Sequence, residues 1–263
     1  MAFSFFKKLF GQDLRQPEAG PKVSAEQPAG DARKAECPYC KGVLKKVPGA
    51  KTKCPHCGEY MYVRTSPTDN TRKVVTKQEA DKIAEDWAIV SGTHDQFVAD
   101  KEHVEQERSR LRSKFGNEPA ERDVQWGILN KNLLKHARNG DWGLYRNDRF
   151  AMGELVRKKQ RFEQALNFYL EVCYIDLNGP NNTGGTTDPK ILAEFPPFNP
   201  QEFAILAPGV IDRIRMIMKR SSLDLVAVKT TYFDYCSRTT KGLRLPRTLE
   251  ECWPLIEQEL HPD

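Results

Sequence analysis

Apolar side chains recur three and four positions apart through most of the chain beyond residue 76, the spacing that gathers them on one face of an α-helix. Ile83, Trp87 and Val90 carry the pattern after Thr76-Lys-Gln-Glu79, a capping box whose hydroxyl and carboxylate close the first turn on each other. Ser91-Gly92 interrupts it. Thr93-His-Asp-Gln96 then offers a second box for a densely charged helix to about Phe115, striped by Phe97, Val104 and Leu111. Gly116 ends that helix, and Pro119 suits the first turn of the next, which runs to about Arg138 before Asn139-Gly140. A helical hairpin is expected over residues 144–176. Further helices are expected over about Glu202–Arg220, broken near Pro208-Gly209 with Ile211, Ile214 and Met218 inward, and over Leu223–Cys236. A third box, Thr248-Leu-Glu-Glu251, opens a last helix bearing Trp253 and Ile256.

The front of the chain follows a different pattern. Tyr60-Met-Tyr-Val-Arg64 alternates with a period of two and predicts a strand with Tyr60 and Tyr62 on one side and Met61 and Val63 on the other. Val43, Leu44 and Val47 predict a short strand before a Pro48-Gly49 turn. The expected fold class is therefore mostly α: a small β unit at residues 36–66, then an all-α domain at residues 76–263. Within the latter, residues 178–200 read as a long loop, unusual inside a compact region, that Phe195-Pro-Pro-Phe198 pins to the body or offers to a partner. Its Gly184-Gly185 lacks the Lys-Ser/Thr of a phosphate-cradling loop.

Ahead of both lies residues 1–35, read as a flexible basic segment. On a helix, Phe3, Phe6, Leu9 and Phe10 share a side flanked by Lys7 and Lys8, which suits peripheral membrane contact or a partner's groove through residues 3–10. Docking on the chain's own domain, or fraying, is the competing reading. Gly11 to Glu36, with three prolines and hardly a bulky apolar residue, reads as linker.

Composition and charge narrow the classes. Only 39% of the 263 residues are hydrophobic, and no run approaches the roughly 18 apolar residues of a membrane-spanning helix, so integral membrane and fibrous classes are excluded. The net charge of +5 is uneven: residues 1–76 hold 14 Lys or Arg against 7 Asp or Glu, leaving 27 against 29 for the rest. An anionic partner for the front end and ordinary lysine-rich solvation both fit that asymmetry.

The sharpest chemical signal is Cys37-Pro-Tyr-Cys40 followed by Cys54-Pro-His-Cys57. Two sulfurs three positions apart grip one ion when the backbone turns tightly between them, and two such pairs supply four thiolates at tetrahedral corners. Pro38 and Pro55 pre-set those turns, and Gly58 follows the second pair where a positive φ costs glycine little. The stretch resembles a zinc ribbon with rubredoxin-type knuckles, as in small bacterial and phage zinc-ribbon proteins, over about residues 36–66. The expected cofactor is one Zn2+ on Cys37, Cys40, Cys54 and Cys57, with His56 a spectator. Each Cys-Pro-x-Cys also resembles a thiol oxidoreductase motif, but neither opens an amphipathic helix whose dipole would activate a thiol.

Other chemistry-bearing residues are dispersed. Cys173, Cys236 and Cys252 lack ligand spacing and are expected as core thiols. Asp100-x-x-His103 has the spacing of half a di-iron site, yet Leu133 stands where a second carboxylate before His136 is required. Arg213, Arg215, Lys219 and Arg220 read as solvated cations on a helix rim. Gly153 and Ala165, with Phe162 and Tyr169, resemble the small-residue contact of a tetratricopeptide hairpin. Arg149 and Leu177 depart from that family's pattern, and no second copy follows at its period, so a generic hairpin fits equally.

With no secretory leader, a reducing cytoplasm is the expected compartment. The expected function is non-catalytic: a zinc-binding interaction or scaffold protein whose helical body recruits a protein partner. The alternative is nucleic-acid binding by the ribbon through Lys41, Lys45, Lys46, Lys51, Lys53, Tyr60, Tyr62 and Arg64, which combine phosphate contacts with stacking surfaces. An enzyme, such as a thiol oxidoreductase, is the third reading.

Overall fold

The computed structural model describes residues 36–261, so the amphipathic residues 3–10 and the linker before residue 36 lie outside the described residues. The described residues divide into two compact units, one ending at His103 and the other starting at Val104. A small antiparallel sheet lies in the region of the cysteines, and the other regular elements of the described chain are helices.

In the first unit, β1 (Thr52–Lys53), β2 (Tyr60–Thr65) and β3 (Arg72–Val75) form one sheet in that order. Thr52 pairs with Met61 and Lys53 with Tyr60; on the other edge Tyr62 pairs with Val75 and Thr65 with Arg72. Met61 is 1% exposed and packs with Cys37, Leu44, Cys54 and Val74, so the strand's alternation sends its apolar face to the cysteines. The strand expected at Val43, Leu44 and Val47 does not form. Only a bridge from Glu36 to Val43 is made, because the backbone there closes a knuckle, and Val43 and Val47 stay exposed. β3 follows a turn in which Asn70 adopts φ 53° and Ser66 N–H donates to Thr71 O at 2.9 Å.

α1 (Lys77–Val90) opens on the Thr76–Glu79 box, formed reciprocally. It is tied to the sheet region twice: Lys77 N–H donates to the Tyr39 hydroxyl at 2.9 Å, and Trp87 Nε1 donates to Thr65 O at 2.8 Å. α2 (His94–Phe115) starts without the second expected box. Gln96 instead donates to Asp100 one turn on, at 2.8 Å, and Thr93 Oγ1 lies 2.9 Å from Ser91 Oγ. Phe97 and Leu111 of its stripe are buried and Val104 half-buried.

The second unit contains α3 (Glu121–Arg138), α4 (Trp142–Arg157), α5 (Phe162–Leu177), the short α6 (Pro189–Glu194), α7 (Pro208–Ser221), α8 (Leu225–Thr239) and α9 (Leu249–Leu260). α5 is its axis. It is buried from Leu170 through Leu177 and packs on α4, α7, α8 and α9. α4 and α5 form the expected hairpin, with Gly153 at the crossing: a Cβ there would stand 2.8 Å from the Tyr169 ring and 3.2 Å from Phe168 Cβ. α4's Arg146 and Glu154 reach Asp176 and Tyr169 on α5, which fixes the antiparallel register.

Three boundaries differ from expectation for local reasons. α3 begins at Glu121, two residues beyond Pro119, on the extended residue Ala120. α7 begins at Pro208 rather than breaking there, since Pro208 supplies a first-turn φ and holds Ala207 extended at ψ 117°. Within α7, Ile217 rather than Met218 is fully buried. α8 starts at Leu225 because Asp224 caps the Ala227 amide at 2.8 Å. Residues 178–200 are not a bare loop. They contain α6, a two-way backbone clasp (Asn181 N–H to Pro197 O, 2.9 Å; Asn199 N–H to Gly179 O, 2.8 Å), and Phe198 stacked on Trp142 at 5.3 Å. Phe195 is exposed.

The rim cations are also engaged rather than merely solvated. Arg213 pairs with buried Glu154, Arg215 donates to the Glu259 carbonyl, and Arg220 lies over the Phe162 ring at 5.7 Å. Lys219 is exposed. Among the described residues no helix is long and apolar enough to cross a membrane.

Candidate metal centre

The two Cys-Pro-x-Cys segments fold into matching turns. Cys37 N–H donates to Gly42 O at 2.9 Å and Lys41 N–H to Cys37 O at 2.9 Å; Cys54 N–H donates to Glu59 O at 2.8 Å and Gly58 N–H to Cys54 O at 3.0 Å. The residue after the second cysteine of each pair is left-handed, Lys41 at φ 60° and Gly58 at φ 76°. Such a turn leaves both sulfurs of a pair on its concave side, with amide N–H groups aimed at them: His56 N–H reaches Cys54 Sγ at 3.3 Å.

The turns face each other. Cys37 Sγ lies 3.8 Å from Cys57 Sγ, Cys40 Sγ lies 3.8 Å from Cys54 Sγ, and all four sulfurs lie within 4.8 Å of one another. An ion bound at about 2.3 Å by four tetrahedral sulfurs requires sulfur–sulfur edges of about 3.8 Å. None of the four is disulfide-bonded. Cys37 and Cys54 are buried and Cys40 and Cys57 exposed, so the cluster sits at the surface with one wall on the Met61 core. These four cysteines form a group able to hold a metal ion.

Electrostatics set Cys54 and Cys57 apart. Burial acts to raise the Cys54 thiol, but the amides of Cys57 and His56 and the neighbouring thiols outweigh it and bring it to about 6. The Glu59 amide favours the Cys57 thiolate, yet desolvation and the three other sulfurs push it up to about 12. One thiolate forms readily and the next is opposed by it; a cation at the centre removes that opposition.

His56 does not point into the quartet. Its Nε2 donates to Val43 O at 3.0 Å, and its ring covers Gly42, where a Cβ would stand 2.6 Å from Cδ2. The ring therefore links the second turn to the chain leaving the first. Sequence reading missed that link and β3. The glycine at 42 opposite a histidine was the available signal for the former.

The eight residues expected to meet nucleic acid fall into two sets. Lys51 Nζ lies over the rings of Tyr60 (4.7 Å) and Tyr62 (4.9 Å), Lys53 Nζ over Tyr60 (5.2 Å), and the Arg64 guanidinium over Tyr62 (5.7 Å). These five share one basic, aromatic face of the sheet. Lys41, Lys45 and Lys46 are exposed but make none of those ring contacts, and Lys41 acts on Glu79 at the start of α1. Cys173, Cys236 and Cys252 are buried in the helical core, where desolvation raises all three thiols, Cys252 to about 12. Asp100 and His103 join no metal-binding group among the described residues.

The chain matches no protein-family model, no curated protein and no solved structure.

Proposed function

We propose that the protein is a non-catalytic zinc-binding interaction protein, in which one Zn2+ on Cys37, Cys40, Cys54 and Cys57 organises a ribbon and the helical body recruits a protein partner. The observation that carries the zinc reading is the pair of 3.8 Å sulfur–sulfur edges between two matching turns that face each other. Four thiolates close a tetrahedron with no open coordination position, the donor set of a structural rather than a catalytic ion. A ribbon whose core is Leu44, Met61 and two cysteine side chains buries too little apolar surface to hold itself without an ion. The α4–α5 hairpin, crossing closely at Gly153, is read as a single tetratricopeptide-like unit within the docking body. The cytoplasm, where thiols stay reduced, is the proposed compartment.

A specific observation favours nucleic-acid binding as the second reading: the sheet face on which Lys51, Lys53 and Arg64 surround Tyr60 and Tyr62. Cations beside aromatic faces present phosphate contacts and stacking platforms together. Co-purification from the native host, with and without nuclease, separates the readings. A protein partner retained after nuclease treatment and after loss of the ribbon supports the first. Association that nuclease abolishes supports the second.

A further inference from the structure

The helical unit carries a groove that the ribbon chemistry does not involve. It encloses about 810 Å3 between α3, α4, α5 and α8. Trp126, Phe168 and Tyr235 form its aromatic floor, with Trp126 edge-on to Phe168 at 6.0 Å and Phe168 edge-on to Tyr235 at 6.3 Å. The floor is held from beneath: the Arg149 guanidinium lies 5.5 Å from the Phe168 ring and is itself paired at 3.0 Å with Glu171, whose side chain is fully buried. Trp126 nevertheless remains 36% exposed, and Leu155 adds an aliphatic wall.

One end of the groove is positively charged. Because α3, α4 and α5 run alternately up and down, the first turn of α3, the last turn of α4 and the first turn of α5 meet there. Of the lining residues they place Arg122, Lys159 and Arg161 there, with Arg122 paired to Asp123 at 3.4 Å; Glu121 and Glu163 of the same turns lie outside the lining. Two helix N-termini, those of α3 and α5, open at the same end and add their partial positive charge. Along α5 the cationic end at Arg161 and the aromatic floor at Phe168 are seven residues apart, about 10 Å at 1.5 Å per residue.

We infer that this groove binds an acidic peptide of a partner protein, placing a carboxylate at Lys159 and Arg161, beside the Arg122–Asp123 pair, and an apolar side chain on Trp126, Phe168 and Tyr235. The inference rests on the reading that the helical body recruits a protein, and it specifies the surface and the chemistry of the partner. Ten ångströms is about three residues of extended chain, so carboxylate and apolar anchor stand about three positions apart. By charge the chain's own residues 1–35 are the poorer occupant: six Lys or Arg stand there against four Asp or Glu, with Lys7 and Lys8 joined to the apolar cluster. A nucleic-acid strand needs cations spaced along its track, whereas here they gather at one end and the rest of the lining, Gln164 and Asn167 included, is uncharged.

The test is a display library of random twelve-residue peptides selected on the full-length, metal-loaded protein, followed by fluorescence anisotropy of the enriched peptides. Enrichment of Asp or Glu about three positions from Leu, Phe or Trp is expected. Affinity should fall about tenfold or more in the double variant Lys159→Glu, Arg161→Glu, two exposed positions whose change leaves the helical circular dichroism intact. The Cys54→Ser variant, which removes the metal site, should bind the same peptides unchanged, so a failed ribbon reading and a failed groove reading give different results. No enrichment, enrichment without an acidic residue, unaltered affinity in the double variant, or displacement by a twelve-nucleotide oligothymidine that the double variant no longer binds would each overturn the inference.

Discussion

Lys41 and Gly58 occupy the same place in two matching turns, each one residue past the second cysteine of its pair and each left-handed, at φ 60° and 76°. Glycine adopts that conformation freely, whereas a residue with a Cβ is strained there by roughly 1–2 kcal/mol. The two positions should therefore respond oppositely. Lys41→Gly should leave metal retention unchanged or strengthen it, while Gly58→Ala, which meets no neighbouring atom and so isolates the backbone effect, should weaken it. Competition with a chelator, followed as zinc release, reads both signs.

Gly127 lies in the interior of α3 against Glu107 of α2. A Cβ there would stand 2.0 Å from Glu107 Oε1, and that fully buried carboxylate is held by Arg110 at 2.6 Å and by Lys131. Helix propensity alone makes Gly→Ala stabilising by about 1 kcal/mol. The structure predicts the reverse, because Glu107 must leave its cations: Gly127→Ala should destabilise by roughly 2–4 kcal/mol in urea unfolding.

Glu154 sets an acid limit on the helical unit. Burial acts to raise its pKa, but Arg157, the Tyr169 hydroxyl at 2.6 Å and Arg213 outweigh burial and hold it at about 2. A carboxylate depressed in the folded state contributes stability that is present above its unfolded value, near 4.5, and is lost as pH falls toward 2. That contribution is on the order of 3 kcal/mol. Glu154→Gln should therefore be less stable than wild type at pH 7, with the gap closing between about pH 4.5 and 2 in denaturant titrations. Glu107, also held near 2, contributes in both proteins and cancels in the difference.

If the sheet face meets nucleic acid, about four phosphate contacts should make the affinity fall on the order of a hundredfold between roughly 50 and 200 mM salt. Tyr60→Ala with Tyr62→Ala should weaken binding by about 1–3 kcal/mol per stacked base and leave the salt slope unchanged, while Lys51→Ala should lower the slope by about one contact. Salt titrations of filter binding with single-stranded oligonucleotides measure both quantities.

Much of the architecture was legible in the chain because its signals are local. The Thr76–Glu79 and Thr248–Glu251 boxes both form, and the alternation of Tyr60 to Arg64 sends Met61 inward as its period requires. The convergence of Cys37, Cys40, Cys54 and Cys57 was readable because spacing within each pair is set by one turn. What escaped depended on partners far along the chain. β3 is a strand only because Tyr62 to Thr65 offers it an edge, and Val43 to Val47 is not one because the backbone at Cys37 and Gly42 is committed to the knuckle. Arg213 looked solvated on its own helix; its carboxylate, Glu154, lies 59 residues earlier. The second box failed because Gln96 found Asp100 one turn on, a competition that the four-residue pattern does not express.

The central claim is that one zinc ion is held by four thiolates. Zinc K-edge X-ray absorption of full-length protein, purified without added metal, tests it most directly. One zinc per chain with four sulfur neighbours at about 2.3 Å is expected, with loss of that signal in Cys54→Ser. Full-length protein free of bound metal, or zinc with nitrogen or oxygen neighbours in place of sulfur, would contradict it.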